Sequence, residues 1–115
     1  MPELVRDGVT LGAAEVARSR HARRRGLLGR DGLDGVLVLE PCRQVHTFRM
    51  RFAIDVAFCA ADGRVVRLVA PMVPGRISRV VWRARRALEG EAGCFDRWNL
   101  RVGDVLTVDE RSAGS

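Results

Sequence analysis

From His46 onward the chain alternates with a strictness that leaves few folds open to it. Even positions carry Phe48, Met50, Phe52, Ile54, Val56 and Phe58; odd positions carry Thr47, Arg49, Arg51, Ala53, Asp55, Ala57 and Cys59. Period two sends successive side chains to opposite sides of an extended chain. The segment therefore reads as β structure with one core face, which Phe48, Met50 and Phe52 open. Strands usually run to about 5–6 residues, so a bulge or bend is expected near Ala53.

The β reading extends in both directions. Asp7-Gly8, between Glu3–Arg6 and Val9–Leu11, and Asp62-Gly63, before Val65–Val69, are hairpin signals. Val36–Leu39 is a short apolar run of the kind buried on both faces. Ser19 is placed to cap a helix over Arg20–Leu28 that ends near Gly29. The prolines Pro71 and Pro74 mark a loop. Ile77–Leu88 fits a helical stripe and strand alternation equally; a loop followed by a strand over Ala84–Glu89 is the expectation. Phe95–Leu100 reads as one helical turn and Gly103–Val108 as a closing strand. The sum is a mainly β fold: a single compact antiparallel sandwich or barrel of jelly-roll-like character, with one or two short helices. It would span residues 1–110, with 111–115 as a flexible C-terminal tail.

A chain of 115 residues fits one domain. Its 47% hydrophobic and 30% charged residues exclude a disordered or low-complexity polypeptide. No apolar run of about 18 residues is present to span a membrane. The N-terminal residues show neither a basic region nor an apolar one, so no secretory signal and a cytoplasmic location are expected. The net charge is +6 and every basic residue is Arg, a bias that suggests a GC-rich genome. Such a charge suits a polyanion partner, although only Arg23-Arg24-Arg25 and the stretch from Arg83 to Arg86 are dense. Cys42, Cys59 and Cys94 form no CxxC unit and are odd in number, which fits reduced thiols.

The motifs taken in order resemble the domain of unknown function 192 family. They are Arg25-Gly26-Leu27-Leu28-Gly29-Arg30, Pro41-Cys42-Arg43, His46-Thr47, Met50-Arg51-Phe52 and Ile54-Asp55-Val56. Asp62-Gly63-Arg64-Val65-Val66, Ala92-Gly93 and Gly103-Asp104-Val105-Leu106 continue the match. The resemblance runs from about Glu3 to Asp109. It implies a mostly β domain and brings no assigned reaction. Leu28 stands where the family usually has Met, Ala53 where it has Pro, and Arg49 where it has a small or aromatic residue.

Four chemistries are weighed for these residues. Cys42 and His46, four apart with Arg43 between them, could serve a thiol enzyme if a loop brings thiol and imidazole together. The plain alternative is a packed thiol and a hydrogen-bonded imidazole. A metal site would combine Cys42 and His46 with Asp55, His21 or Cys94, but this spacing lacks the paired ligands of a zinc site, so no metal is expected. No phosphate-cradling or dinucleotide-binding loop is present, and no cofactor is expected. With two Trp and no Tyr the chain is poor in base-stacking platforms, so an Arg-driven, non-specific nucleic-acid binder is a lesser reading. The favoured reading is a small β binding module for an anionic small molecule or a partner's acidic segment. Its ligand-binding residues would be Arg43, His46, Thr47, Arg49, Arg51 and Asp55, with Asp55 turned back to orient an Arg. Guanidinium forks beside a hydroxyl and an imidazole suit a carboxylate or phosphate.

Overall fold

Turn chemistry sets the outer strands. In the computed structural model, which describes residues 2–110, Asp7 and Gly8 both take positive φ, 52° and 77°, as a two-residue hairpin turn requires. They join β1 (Glu3–Arg6) to β2 (Val9–Ala17) as antiparallel neighbours. The segment 111–115, expected as a tail, lies outside the described residues.

The Asp62-Gly63 pair sits in a longer turn over 60–64, where only Gly63 takes positive φ, 91°, and joins β4 (Ile54–Cys59) to β5 (Val65–Met72) as antiparallel neighbours. Between β4 and β3 (Val36–Leu39) lies β6 (Arg86–Glu91), antiparallel to both. The strand β7 (Thr107–Asp109) pairs with the free side of β1. Seven strands thus form one sheet in the order β5-β4-β6-β3-β2-β1-β7. Among the described residues two short helices complete the fold, α1 (Arg20–Arg25) and α2 (Cys94–Arg97).

The mainly β fold with two short helices is as expected; the wholly antiparallel sheet is not. β2 and β3 run parallel. A parallel pair needs a crossover of a dozen or more residues, usually helical, and residues 18–35, which contain α1, supply it. The ends of the sheet also meet. Arg64 bridges Val105, Val65 N–H donates to the Asp104 carbonyl at 2.8 Å, and Leu106 N–H donates to the Gly63 carbonyl at 2.9 Å. The sheet is therefore rolled, with β5 carried round to the chain that leads into β7.

The most regular alternation in the sequence produces no strand before Ile54. Residues 46–53 form a loop with a turn at Phe48-Arg49, where Arg49 takes φ 63°. Phe48 is 45% exposed and Thr47 is fully buried, the reverse of the expected faces. The cause is a polar anchor. Thr47 Oγ1 donates to the Val73 carbonyl at 2.6 Å and accepts the Arg76 N–H at 2.9 Å. These bonds tie the segment to the 73–78 loop instead of to the sheet. The chain does break near Ala53, and β4, with a register shift between Ile54 and Val56, is buried on both faces rather than one. Pro71 falls inside β5 rather than in a loop; β5 is last in the sheet order, where a proline is tolerated.

Two apolar clusters follow from this burial. Leu4, Val36, Val38, Ala57, Cys59, Leu88 and Phe95 pack on one side of the sheet. Leu27, Leu37, Leu39, Ile54, Val56, Phe58 and Ala87 pack on the other, with Met50, Phe52 and Cys42 against them. Gly90 serves the first side: a Cβ there would lie 2.5 Å from Cys94 Sγ. The second side carries the pocket described next.

Candidate functional site

Four arginines reach the pocket because of how α1 begins and ends. Ser19 Oγ accepts the Ala22 N–H at 3.0 Å, which starts the helix, and Gly26, at φ 49°, ends it short of the expected Leu28. Arg20, Arg23, Arg24 and Arg25 then line a cavity of about 510 Å³, and Arg43 lines it as well. None of these five arginines has a carboxylate partner among the described residues; the ion pairs there use Arg6, Arg18, Arg30, Arg51 and Arg86. Arg23 is steadied by backbone oxygens, donating to the Arg18 carbonyl at 3.4 Å and the Pro41 carbonyl at 3.3 Å. Arg43 donates to the Trp82 carbonyl at 3.3 Å.

The acid in the same cavity is Glu89, on β6. Alternation along β6 puts Glu89 on the same side as Ala87, and its flanking strands offer it Leu37 and Val56, both apolar and buried. Glu89 is 3% exposed. Its carboxyl group makes no hydrogen bond or ion pair with the described residues. Burial pushes its pKa up to about 7, because a low-dielectric surrounding disfavours the charged form. The wall above is apolar, with Leu27 and Leu39 lining the cavity.

Three of the residues expected from the sequence line this cavity: Cys42, Arg43 and His46. Thr47, Arg49, Arg51 and Asp55 do not. Thr47 is spent on the loop anchor already described. Arg51 pairs at 2.8 Å with Asp31 on the surface, not with Asp55. Asp55 is buried, and its Oδ2 accepts the N–H groups of Gly93 at 2.9 Å and Phe95 at 3.1 Å, holding α2 to β4. The bend near Ala53 thus turns Asp55 inward to the backbone, not back to an arginine.

The Cys42 thiol donates to the Gln44 carbonyl at 3.2 Å. Burial pushes its pKa up, opposed by that hydrogen bond and reinforced by Glu89, the opposite of what activates a nucleophile. Cys59 and Cys94, both buried, are pushed up to about 12. His46 Nδ1 accepts the Phe48 N–H at 3.3 Å, and the two rings stack at 5.1 Å. Among the described residues no three His, Cys, Asp or Glu side chains gather into a group that could hold a metal; Cys42 and His46 share the cavity wall, but Asp55, His21 and Cys94 do not line it with them.

Sequence reasoning missed Glu89. It sits at the end of an expected strand, where a charge normally marks the solvent side. The available signal was its step of two from Ala87 in Ala87-Leu88-Glu89-Gly90, which points inward once the strand is known to be flanked on both sides.

A profile of the DUF192 family, described as an uncharacterised ACR, matches residues 4–108. Among curated proteins none matches the chain. A crystal structure of a protein of unknown function from Novosphingobium aromaticivorans superposes with a TM-score of 0.80 at 19% identity, covering 92% of this chain and 82% of that one. A second, from Sinorhizobium meliloti and described as a "putative transcription regulator", has a TM-score of 0.76 at 22% identity and covers 93% of this chain and 91% of that one. These likenesses extend the fold across the chain's matched length; they carry no activity with them.

Proposed function

The chain belongs to the DUF192 family, whose activity is not established, and on that premise we propose that it is a small binding module for an anionic small molecule. The observation that carries this reading is the charge around the cavity: among the described residues, five guanidinium groups without carboxylate partners, set against one carboxyl, that of Glu89. Arginine forks are suited to carboxylate and phosphate oxygens, and a cavity of about 510 Å³ lies in the range of roughly 300–1,000 Å³ typical of small-molecule sites. Of the residues expected from the sequence, Arg43 and His46 belong to this reading. Thr47 anchors the loop that follows His46, and Asp55 holds α2 on the side of the sheet away from the pocket.

The test is isothermal calorimetry with inorganic phosphate and with small mono- and dicarboxylates at low salt. Saturable binding that weakens at least tenfold in an Arg24→Ala, Arg25→Ala double variant, with the melting temperature unchanged, is the expected result. Both side chains are exposed, so their removal leaves the core intact. Absence of binding to every anion tried would end the reading. Binding that appears only with nucleic acid and falls steeply with salt would replace it with the polyanion alternative.

A further inference from the structure

Beneath five arginines, a lone carboxyl group on an apolar floor is an odd arrangement for a pure anion site. A negative charge there repels an anionic ligand, and an aliphatic side chain would fill the space at lower cost. Burying a polar group without a partner is unfavourable by an amount that a hydrogen bond from a ligand would offset. Glu89 lines the cavity, is 3% exposed, and has no partner among the described residues. A built acceptor therefore faces the space that the arginines surround.

Resting on the anion-binding reading above, we propose that Glu89 accepts hydrogen bonds from hydroxyl groups of the ligand, so that the pocket takes a hydroxylated organic anion, a sugar phosphate or sugar acid, rather than a simple one. The donor is assigned as hydroxyl in preference to ammonium. An ammonium group would satisfy Glu89 but would have to enter past Arg20, Arg23, Arg24, Arg25 and Arg43, and like charges at close range disfavour it. A hydroxyl carries a donor and no charge. Two adjacent hydroxyls match the two oxygens of an ionised carboxylate, whose acceptor capacity allows both bonds at once, and such charge-assisted bonds are roughly twice as strong as neutral ones. The anionic end of the same molecule meets the guanidinium groups, while Leu27 and Leu39 give the carbon skeleton an apolar wall. Because burial places the Glu89 pKa at about 7, acceptor strength rises between pH 6 and pH 8.

Calorimetry on the intact chain with matched pairs tests this. The pairs are glucose 6-phosphate against hexyl phosphate and gluconate against hexanoate, with inorganic phosphate as the anion alone. The expected result is that at least one hydroxylated member binds tenfold or more tightly than its deoxy partner, with a preference that grows from pH 6 to pH 8. In Glu89→Leu, which removes a buried charge and so keeps the fold, the preference should fall to near unity while phosphate binds as well as before or better. The phosphate and carboxylate pairs separate the two sources of the anion. Equal affinity within both pairs, with phosphate still bound, overturns this proposal and leaves the anion reading standing. A preference that survives in Glu89→Leu overturns the role of Glu89. No binding by any anion overturns both readings together.

Discussion

Glu89 shows how one side chain sets a protein's response to pH. In the unfolded chain its carboxyl titrates near the ordinary 4.5, whereas in the fold burial raises it to about 7. The folded state holds this proton more firmly. Its contribution to stability is complete below about pH 4.5 and is lost as pH rises through about 7, because the carboxylate must then be carried in an apolar surrounding. The difference is on the order of 3 kcal/mol. The native protein should therefore melt progressively lower as pH is raised from 5.5 to 8. Glu89→Gln should flatten most of that slope and melt above the native protein at pH 8. Thermal melts of both proteins that ran parallel across this range would contradict the burial argument.

At the scale of elements, two residues from the same alternating segment illustrate opposite kinds of charge. Asp55 joins β4 to α2 by accepting the Gly93 and Phe95 N–H groups from a site that is 2% exposed. Arg51 reaches from the loop to Asp31 with both side chains largely in water. Asp55→Asn exchanges one charge-assisted acceptor for a neutral amide and should cost about 1–3 kcal/mol. Arg51→Ala removes a surface pair and should change stability by no more than about 0.5 kcal/mol. Urea titrations of the two variants measure the contrast. Equal losses would mean that the Arg51–Asp31 pair does more than its exposure allows. The helix α1 makes a similar point about legibility. Ser19 was recognisable as its cap, but where it stopped depended on Gly26, and that stop brings all four of its arginines into the pocket wall.

At the scale of the whole molecule, closure of the sheet rests on a close approach of two backbones. Gly63, at φ 91°, lies so near the chain before β7 that a Cβ would fall 2.2 Å from the Leu106 carbonyl oxygen. Gly63→Ala should destabilise the protein by more than about 1 kcal/mol, since both the conformation and the space reject a side chain. The loss should be local at first. Hydrogen exchange should accelerate at the amides of Val65, Gly103 and Leu106, which bond across this seam, while amides between β3 and β6 keep the protection of the centre. Uniform acceleration would instead show that the seam and the centre open as one unit.

The amino-acid order alone determined the elements whose causes are local. Asp-Gly pairs made the two hairpin turns, a serine capped a helix, and Val36–Leu39 with its flanking glycine turn made a strand buried on both faces. Tertiary structure decided what depends on neighbours distant in sequence. The alternation of residues 46–53 is as regular as that of a strand, yet its polar partner, Thr47, found Val73 and Arg76, and those bonds overrode the pattern. The parallel pairing of β2 with β3 is invisible in either strand and follows from the crossover between them. The candidate site divides in the same way. Cys42, Arg43 and His46 were legible as chemically capable residues close together in the chain. Glu89 became a member only because β3 and β4 cover both of its flanks with apolar side chains, and a residue's own sequence does not record whether its strand has one neighbour or two.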